Sequence, residues 1–404
     1  MERLSLVVQR VVLLTIVFLL SGDVAVSGGS GFGDAYEFRD VKVMAHNKVK
    51  DQGDSGTCWA FSTMSMIESD MIASGRDTVE LSEMYVIAMS YIDKVRQYIR
   101  MHGKILVGEG AEFHDAVSVW KRYGLVPRSV YWMGDDTTRI NHERLALSVD
   151  SLARETVFNG KIERSKPKEG WEADLNSLIE RYIGKIPTEF EWRGRKYTPR
   201  SFADEVVGLD PDDYVAITSF SHHPFYEKFV FEIPDNWSFG EEYNLPIEVL
   251  EEAVDSAIER GRTVAWAADV TEKYISCNLG IGVYPQTDPD SMSTKDRRRW
   301  RSLPDFSKEF YGLEFPVEEG SVSQAMRQEA FDSYETTDDH GMHIVGKALD
   351  KNGKEYYKVK NSWGPSAGYG GYVYVSKRYF EYKTMHVLMN RQYIPKETRE
   401  RMKI

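Results

Sequence analysis

Cysteine is scarce in this chain: Cys58 and Cys277 are the only two in 404 residues. That excludes a disulfide-stapled secreted scaffold and leaves cysteine with a chemical job rather than a structural one. Net positive charge is missing as well. The formal balance is -12 at neutral pH, which offers no general attraction to nucleic acid or to an anionic membrane surface. The apolar run near the start, Val11 to Leu20, is short for a membrane span. What remains is ordinary globular composition, 42% hydrophobic and 28% charged, without an internal repeat and with length for one large domain or two ordinary ones.

Arg3 and Arg10 flank that apolar run on one side, and Ser21, Gly22, Ala25 and Ser27 follow it. This order of basic flank, apolar core and small residues predicts a signal peptide over residues 1–27 and export to a periplasm or the exterior. The alternative is an uncleaved N-terminal membrane anchor. Residues 28–404 are read as one folded unit with a charged, mainly helical insertion at about 135–235.

Phe61, Met64, Ile67 and Met71 recur at helical spacing, with Gly75 as a stop, and predict a buried helix from Cys58 to Ala73. Before it, Asp51 to Thr57 is rich in turn formers and reads as a loop. Further helices are predicted at about 81–101, 112–123, 140–158, 172–184 and 246–260. Strands are expected within 214–232 and at 263–268, 341–350, 355–361 and 371–376, with an Asn352-Gly353 turn joining two of them. Helices early and strands late argue for an α+β fold. The basic run at 295–301 reads as a solvated loop.

Cys58 thus stands where a loop becomes a helix. A helix N-terminus and a nearby imidazolium both lower a thiol pKa, so the position suits a nucleophile. A nucleophilic cysteine needs a base and a group to orient that base. His340 and His343 precede a predicted hairpin that returns Asn361 to their neighbourhood. Alternate strand residues face opposite ways, so only one histidine can serve Cys58, and spacing alone does not choose. A metal site on the pair is disfavoured because i, i+3 on a strand splays the rings apart.

The segment Gln52-Gly53-Asp54-Ser55-Gly56-Thr57-Cys58-Trp59-Ala60-Phe61-Ser62 resembles the nucleophile segment of papain-like cysteine peptidases. His340-Gly341-Met342 with Asn361-Ser362-Trp363-Gly364 resembles the bleomycin hydrolase and aminopeptidase C branch of that family. Leu81-Ser82-Glu83, Tyr123-Gly124-Leu125-Val126-Pro127, Tyr243-Asn244-Leu245-Pro246 and Ala268-Asp269-Val270 extend the likeness. The resemblance implies a papain-like fold, helical on the left and antiparallel β on the right, acting on peptide substrates as an aminopeptidase. It implies Cys58 as nucleophile, His340 as base, Asn361 as its orienter and Trp363 as their cover. Gln52 would form the oxyanion hole with the Cys58 backbone N–H, and no metal or organic cofactor is implied. Cys277 is a bystander in this reading.

Gly110, Ala111 and Glu112 stand where the branch has substrate-binding residues. The Ala111 methyl is expected to narrow a subsite, and Glu112 to attract a substrate α-amine. The branch carries a C-terminal arm that restricts it to free N-termini and accompanies a hexamer. This chain ends at Ile404 without one, which keeps an endopeptidase in play and leaves a homo-hexamer in doubt. Two other rivals are a catalytically silent peptide-binding homologue and an enzyme that transfers the acyl group to an amine.

Overall fold

A computed structural model describes residues 36–133, 140–159, 166–286 and 317–404. The proposed signal peptide and the basic run at 295–301 lie outside these residues. Strand β1 (Phe38–Val43) leads into the loop before α1 (Cys58–Ala73), and α2 (Glu83–Arg100), α3 (Phe113–Tyr123), α4 (Glu143–Phe158) and α5 (Trp171–Ile183) follow. A small hairpin of β2 (Phe190–Trp192) and β3 (Arg195–Tyr197) precedes the short α6 (Pro199–Phe202). Then come β4 (Tyr214–Thr218), β5 (Lys228–Val230), β6 (Glu241–Asn244), α7 (Ile247–Glu259), β7 (Val264–Ala268), β8 (Ile275–Ser276) and β9 (Ile281–Gly282). The last part is α8 (Gln324–Asp332), β10 (His340–Asp350), β11 (Glu355–Lys360), β12 (Tyr372–Ser376), α9 (Lys377–Lys383), β13 (Thr384–Asn390) and α10 (Lys396–Met402).

The architecture is α+β. An 11-stranded sheet runs in the order β5-β6-β4-β13-β7-β10-β11-β12-β9-β8, with β1 added against β10. Its pairs are antiparallel except β12 with β9 and β4 with β6. The stretch expected as a helical insertion holds α4 and α5, and its β4 and β5 join the main sheet. No helix among the described residues is long and apolar enough to cross a membrane.

Helix α1 is placed between the layers, against β10 and β7 on one side and α2 and α3 on the other. Residues 59–71 are all buried in consequence, including Met64, Met66, Ile67 and Met71. Burial of each such side chain contributes about 1.5–3 kcal/mol. The two buried carboxylates of α1 are tolerated because each finds a donor. Glu68 takes Lys50 and the Leu81 N–H, while Asp70 accepts from the Tyr214 hydroxyl at 2.7 Å.

Candidate active site

The loop before Cys58 is held at two places. Lys50 is buried between Glu68 at 2.8 Å and Glu83 at 2.6 Å. Burial alone would push this ammonium toward neutrality, but the two carboxylates hold its pKa above the ordinary value. Next along the chain, the Gln52 N–H donates to the Ser362 carbonyl at 2.8 Å and the Gly364 N–H to that of Lys50 at 3.1 Å. The loop is therefore zipped to the segment after β11. Gly53 turns it with φ +62°, where an added Cβ would sit 2.3 Å from the Ile140 carbonyl oxygen.

This zipper sets Gln52 beside Asn361. The Ser362 hydroxyl donates to Gln52 Oε1 at 2.5 Å, and Gln52 Nε2 donates one hydrogen to the Ser55 carbonyl at 2.6 Å. An amide nitrogen carries two hydrogens, so one donor remains for a ligand oxygen.

Cys58 is the first residue of α1 and keeps partial exposure. The sequence led us to expect a lowered thiol pKa, and the balance runs the other way. Burial pushes the thiol up to about 12, and the charges of Asp338 and Glu112 add to the rise. The Gly341 and Trp59 backbone N–H groups act on the sulfur in the opposite sense. Their pull is the smaller one because removing an ion from water outweighs one or two dipoles.

His340 opens β10, and its Nε2 lies 2.8 Å from Asn361 Oδ1. That same oxygen accepts the Ser362 N–H at 2.7 Å, which identifies it as the amide carbonyl. Nε2 therefore donates, and Nδ1 of the neutral ring is left as a proton acceptor. Burial lowers the His340 pKa to about 4, with Asn361 and Asp339 working to raise it. The Trp363 ring covers the pair, its centroid 4.7 Å from that of His340. His343 points elsewhere. Its Nδ1 is 2.9 Å from the Ser65 hydroxyl, and burial with the neighbouring Lys360 charge lowers its pKa. Cys277 is buried in the apolar core on the far side of the sheet.

Cys58 and His340 line one cavity of about 120 Å³, together with Gly110, Ala111 and Glu112. Gln52 is not part of its wall. The same cavity is lined by residues that the sequence did not single out as site residues: Asp235, Asp338 and His386. His386, on β13, is buried with Nε2 2.8 Å from Glu112 and Nδ1 2.7 Å from Glu242, and it stacks on Phe113. Burial opposes its protonation, yet the two carboxylates outweigh burial and hold its pKa well above 6.5. Burial likewise works to raise the Glu242 pKa, but His386 and His114 pull it down to about 2. Glu112 also begins α3, where its backbone N–H donates to Asp115 at 3.0 Å. One signal for these residues was local: Asp338 lies two residues before His340, on the strand's approach.

Family models match most of the chain. The peptidase C1-like family matches residues 95–284 and 311–404, and the papain family cysteine protease model matches residues 33–147. Aminopeptidase G of Lactobacillus delbrueckii subsp. lactis is 24% identical over 393 residues, covering 88% of this chain and 83% of its own. Aminopeptidase C of Listeria monocytogenes is 22% identical over 392 residues, with coverage of 88% and 82%. A solved structure of pepw from Lactobacillus rhamnosis HN001 superposes with a TM-score of 0.66 at 20% identity, covering 90% of this chain and 84% of that one.

Proposed function

The chain belongs to the peptidase C1-like family and is a thiol peptidase, and on that footing we propose that Cys58, His340 and Asn361 are its catalytic triad and that it removes residues from peptide N-termini. The aminopeptidase names of its relatives support the second half of this reading. The first half rests on one observation. The Asn361 bond leaves His340 with an acceptor nitrogen in the cavity that Cys58 also lines.

The reaction follows from those positions. His340 Nδ1 takes the Cys58 proton as the sulfur attacks the scissile carbonyl carbon, and the carbonyl π pair moves onto oxygen. That oxyanion is met by the Cys58 backbone N–H, which as a first-turn donor has no intrahelical acceptor, and by the remaining Gln52 amide hydrogen. On collapse the C–N bond breaks, and the His340 imidazolium gives its proton to the leaving amine. A water molecule then loses a proton to His340 and attacks the thioester, and the departing thiolate recovers that proton. The Asn361 bond keeps the ring in one tautomer throughout.

Burial drives the thiol and the imidazole each toward the neutral form. Proton transfer within the pair creates two charges that offset each other at short range. Cys58→Ala tests the reading. Cleavage of unblocked peptides should fall by at least about 10⁴-fold while the melting temperature is kept. Equal cleavage by the variant sinks it, and products from N-acetylated peptides at the free-peptide rate would sink the exopeptidase half alone.

A further inference from the structure

We propose that the part of the cavity lined by Glu112, Asp235 and Asp338 is a subsite for a cationic group of the peptide, an ammonium or guanidinium carried near the scissile bond. The inference rests on the peptidase reading above and gives it a substrate class. Three observations carry it.

The first is a charge imbalance. Glu112, Asp115, Asp235, Asp338 and Glu242 face Lys94, His114 and His386, so five carboxylates meet three cations. Lys94 does not line the cavity. Its Nζ is spent on the Gly108 and Gly110 carbonyls, fastening the loop that carries the cleft edge. His114, the second residue of α3, does not line the cavity either and sits between Asp115 and Glu242. The uncompensated charge therefore falls on the cavity side.

The second is an unmet acceptor. Glu112 is 2% exposed; Oε2 meets His386, while Oε1 has no hydrogen-bond partner. A buried carboxylate oxygen without a donor is costly, and an entering N–H would satisfy it. The third is that the fold makes room for a further carboxylate here. An added Cβ on Gly110 would lie 1.9 Å from Asp235 Oδ2, so only glycine lets that acid approach the cleft edge.

Burial, reinforced by Glu112 and Asp235, keeps the Asp338 carboxyl well above the usual range. A metal fits less well, although Glu112, Asp338 and His386 bring their ligand atoms within 4.8 Å of one another. His386 has both ring nitrogens against carboxylates and is held protonated, and an imidazolium has no lone pair for a metal.

The test uses the full chain carrying Cys58→Ala, so that binding is read without turnover. Calorimetry would compare a tetra-alanine amide with a free N-terminus, its N-acetylated form, and acetylated forms with lysine at each position in turn. At least one cationic class should bind tenfold or more tighter than the acetylated all-alanine peptide. A preference for the free N-terminus assigns the subsite to the α-ammonium, and a preference for an acetylated lysine peptide assigns it to a side chain. Adding Asp338→Asn should shrink the gap below threefold; if that protein melts early, Asp235→Asn serves in its place. Equal binding of all peptides, a gap that survives both substitutions, or zinc binding that Asp338→Asn abolishes without any peptide preference would overturn the subsite. Turnover of the same peptides by the unsubstituted enzyme reports separately, since discrimination in binding with no cleavage sinks the peptidase reading and leaves the subsite standing.

Discussion

His340 and His386 line the same cavity, are both buried, and are driven to opposite charge states. His340 has an amide for a partner, and burial takes its pKa down to about 4. His386 is still more buried, at 0% exposed, yet two carboxylates hold it protonated. Burial therefore does not decide the charge of a histidine here; the count of carboxylates around it does. The consequence is one cavity lined by a neutral histidine and a protonated one.

Removing the imidazolium is the strongest way to break this contrast. His386→Gln strands Glu112 in the interior and leaves Glu242 with His114 alone, and urea unfolding at neutral pH should show a loss of about 3–5 kcal/mol. A loss below about 1 kcal/mol would mean that those carboxylates do not depend on His386.

Acid should act on the other histidine. The folded pKa of His340, about 4, lies below the ordinary 6.5, so the unfolded chain takes up that proton first. Its share of stability is present above about pH 6.5 and is lost as pH falls through 6.5 toward 4, reaching roughly 3 kcal/mol. His386 has the reverse sign: its share is present below 6.5 and fades as pH rises through its raised folded value. Urea melts of the parent chain and His340→Gln at pH 7 and pH 4.5 isolate the first effect. The parent should lose more than the variant between the two, and parallel losses would refute the assignment.

The most delicate change makes one histidine resemble the other. Asn361→Asp places a carboxylate 2.8 Å from His340 Nε2. The amide nitrogen it replaces has no hydrogen-bond partner, so little else is disturbed. A raised His340 pKa keeps the ring protonated to higher pH, and the acid limb of kcat/KM should move up by about 1–3 pH units from near pH 4. An unmoved limb would separate His340 from the rate.

Much of this was legible in the sequence. Helix α1 spans Cys58–Ala73 as its periodicity predicts, because a loop of turn formers and Gly75 bracket it. α2 starts after Ser82, whose hydroxyl accepts the Tyr85 N–H as a cap. β10 and β11 pair His343 with Lys360, and this register carries Asn361 back to His340. Strand β13 was missed. It lies mid-sheet between β4 and β7 with both faces covered, so Thr384–Asn390 shows no polar alternation, and a lone histidine among Met, Val and Leu gives no signal of function. The thiol pKa was misjudged for a related reason. A helix terminus is visible in sequence, whereas the burial that outweighs it is not.

By itself the sequence determined which residues are proposed to react. Gln52 and Cys58 share one short segment, and His340 and Asn361 belong to one hairpin, so short-range spacing carries their relations. The carboxylate and histidine cluster around Glu112 was assembled only by tertiary structure. Glu112, Asp235, Asp338 and His386 come from a helix start, two loops and a central strand, separated by most of the chain. A buried charge is tolerable only beside its counter-charge, and when that partner arrives from a distant strand no local pattern of residues records the pairing.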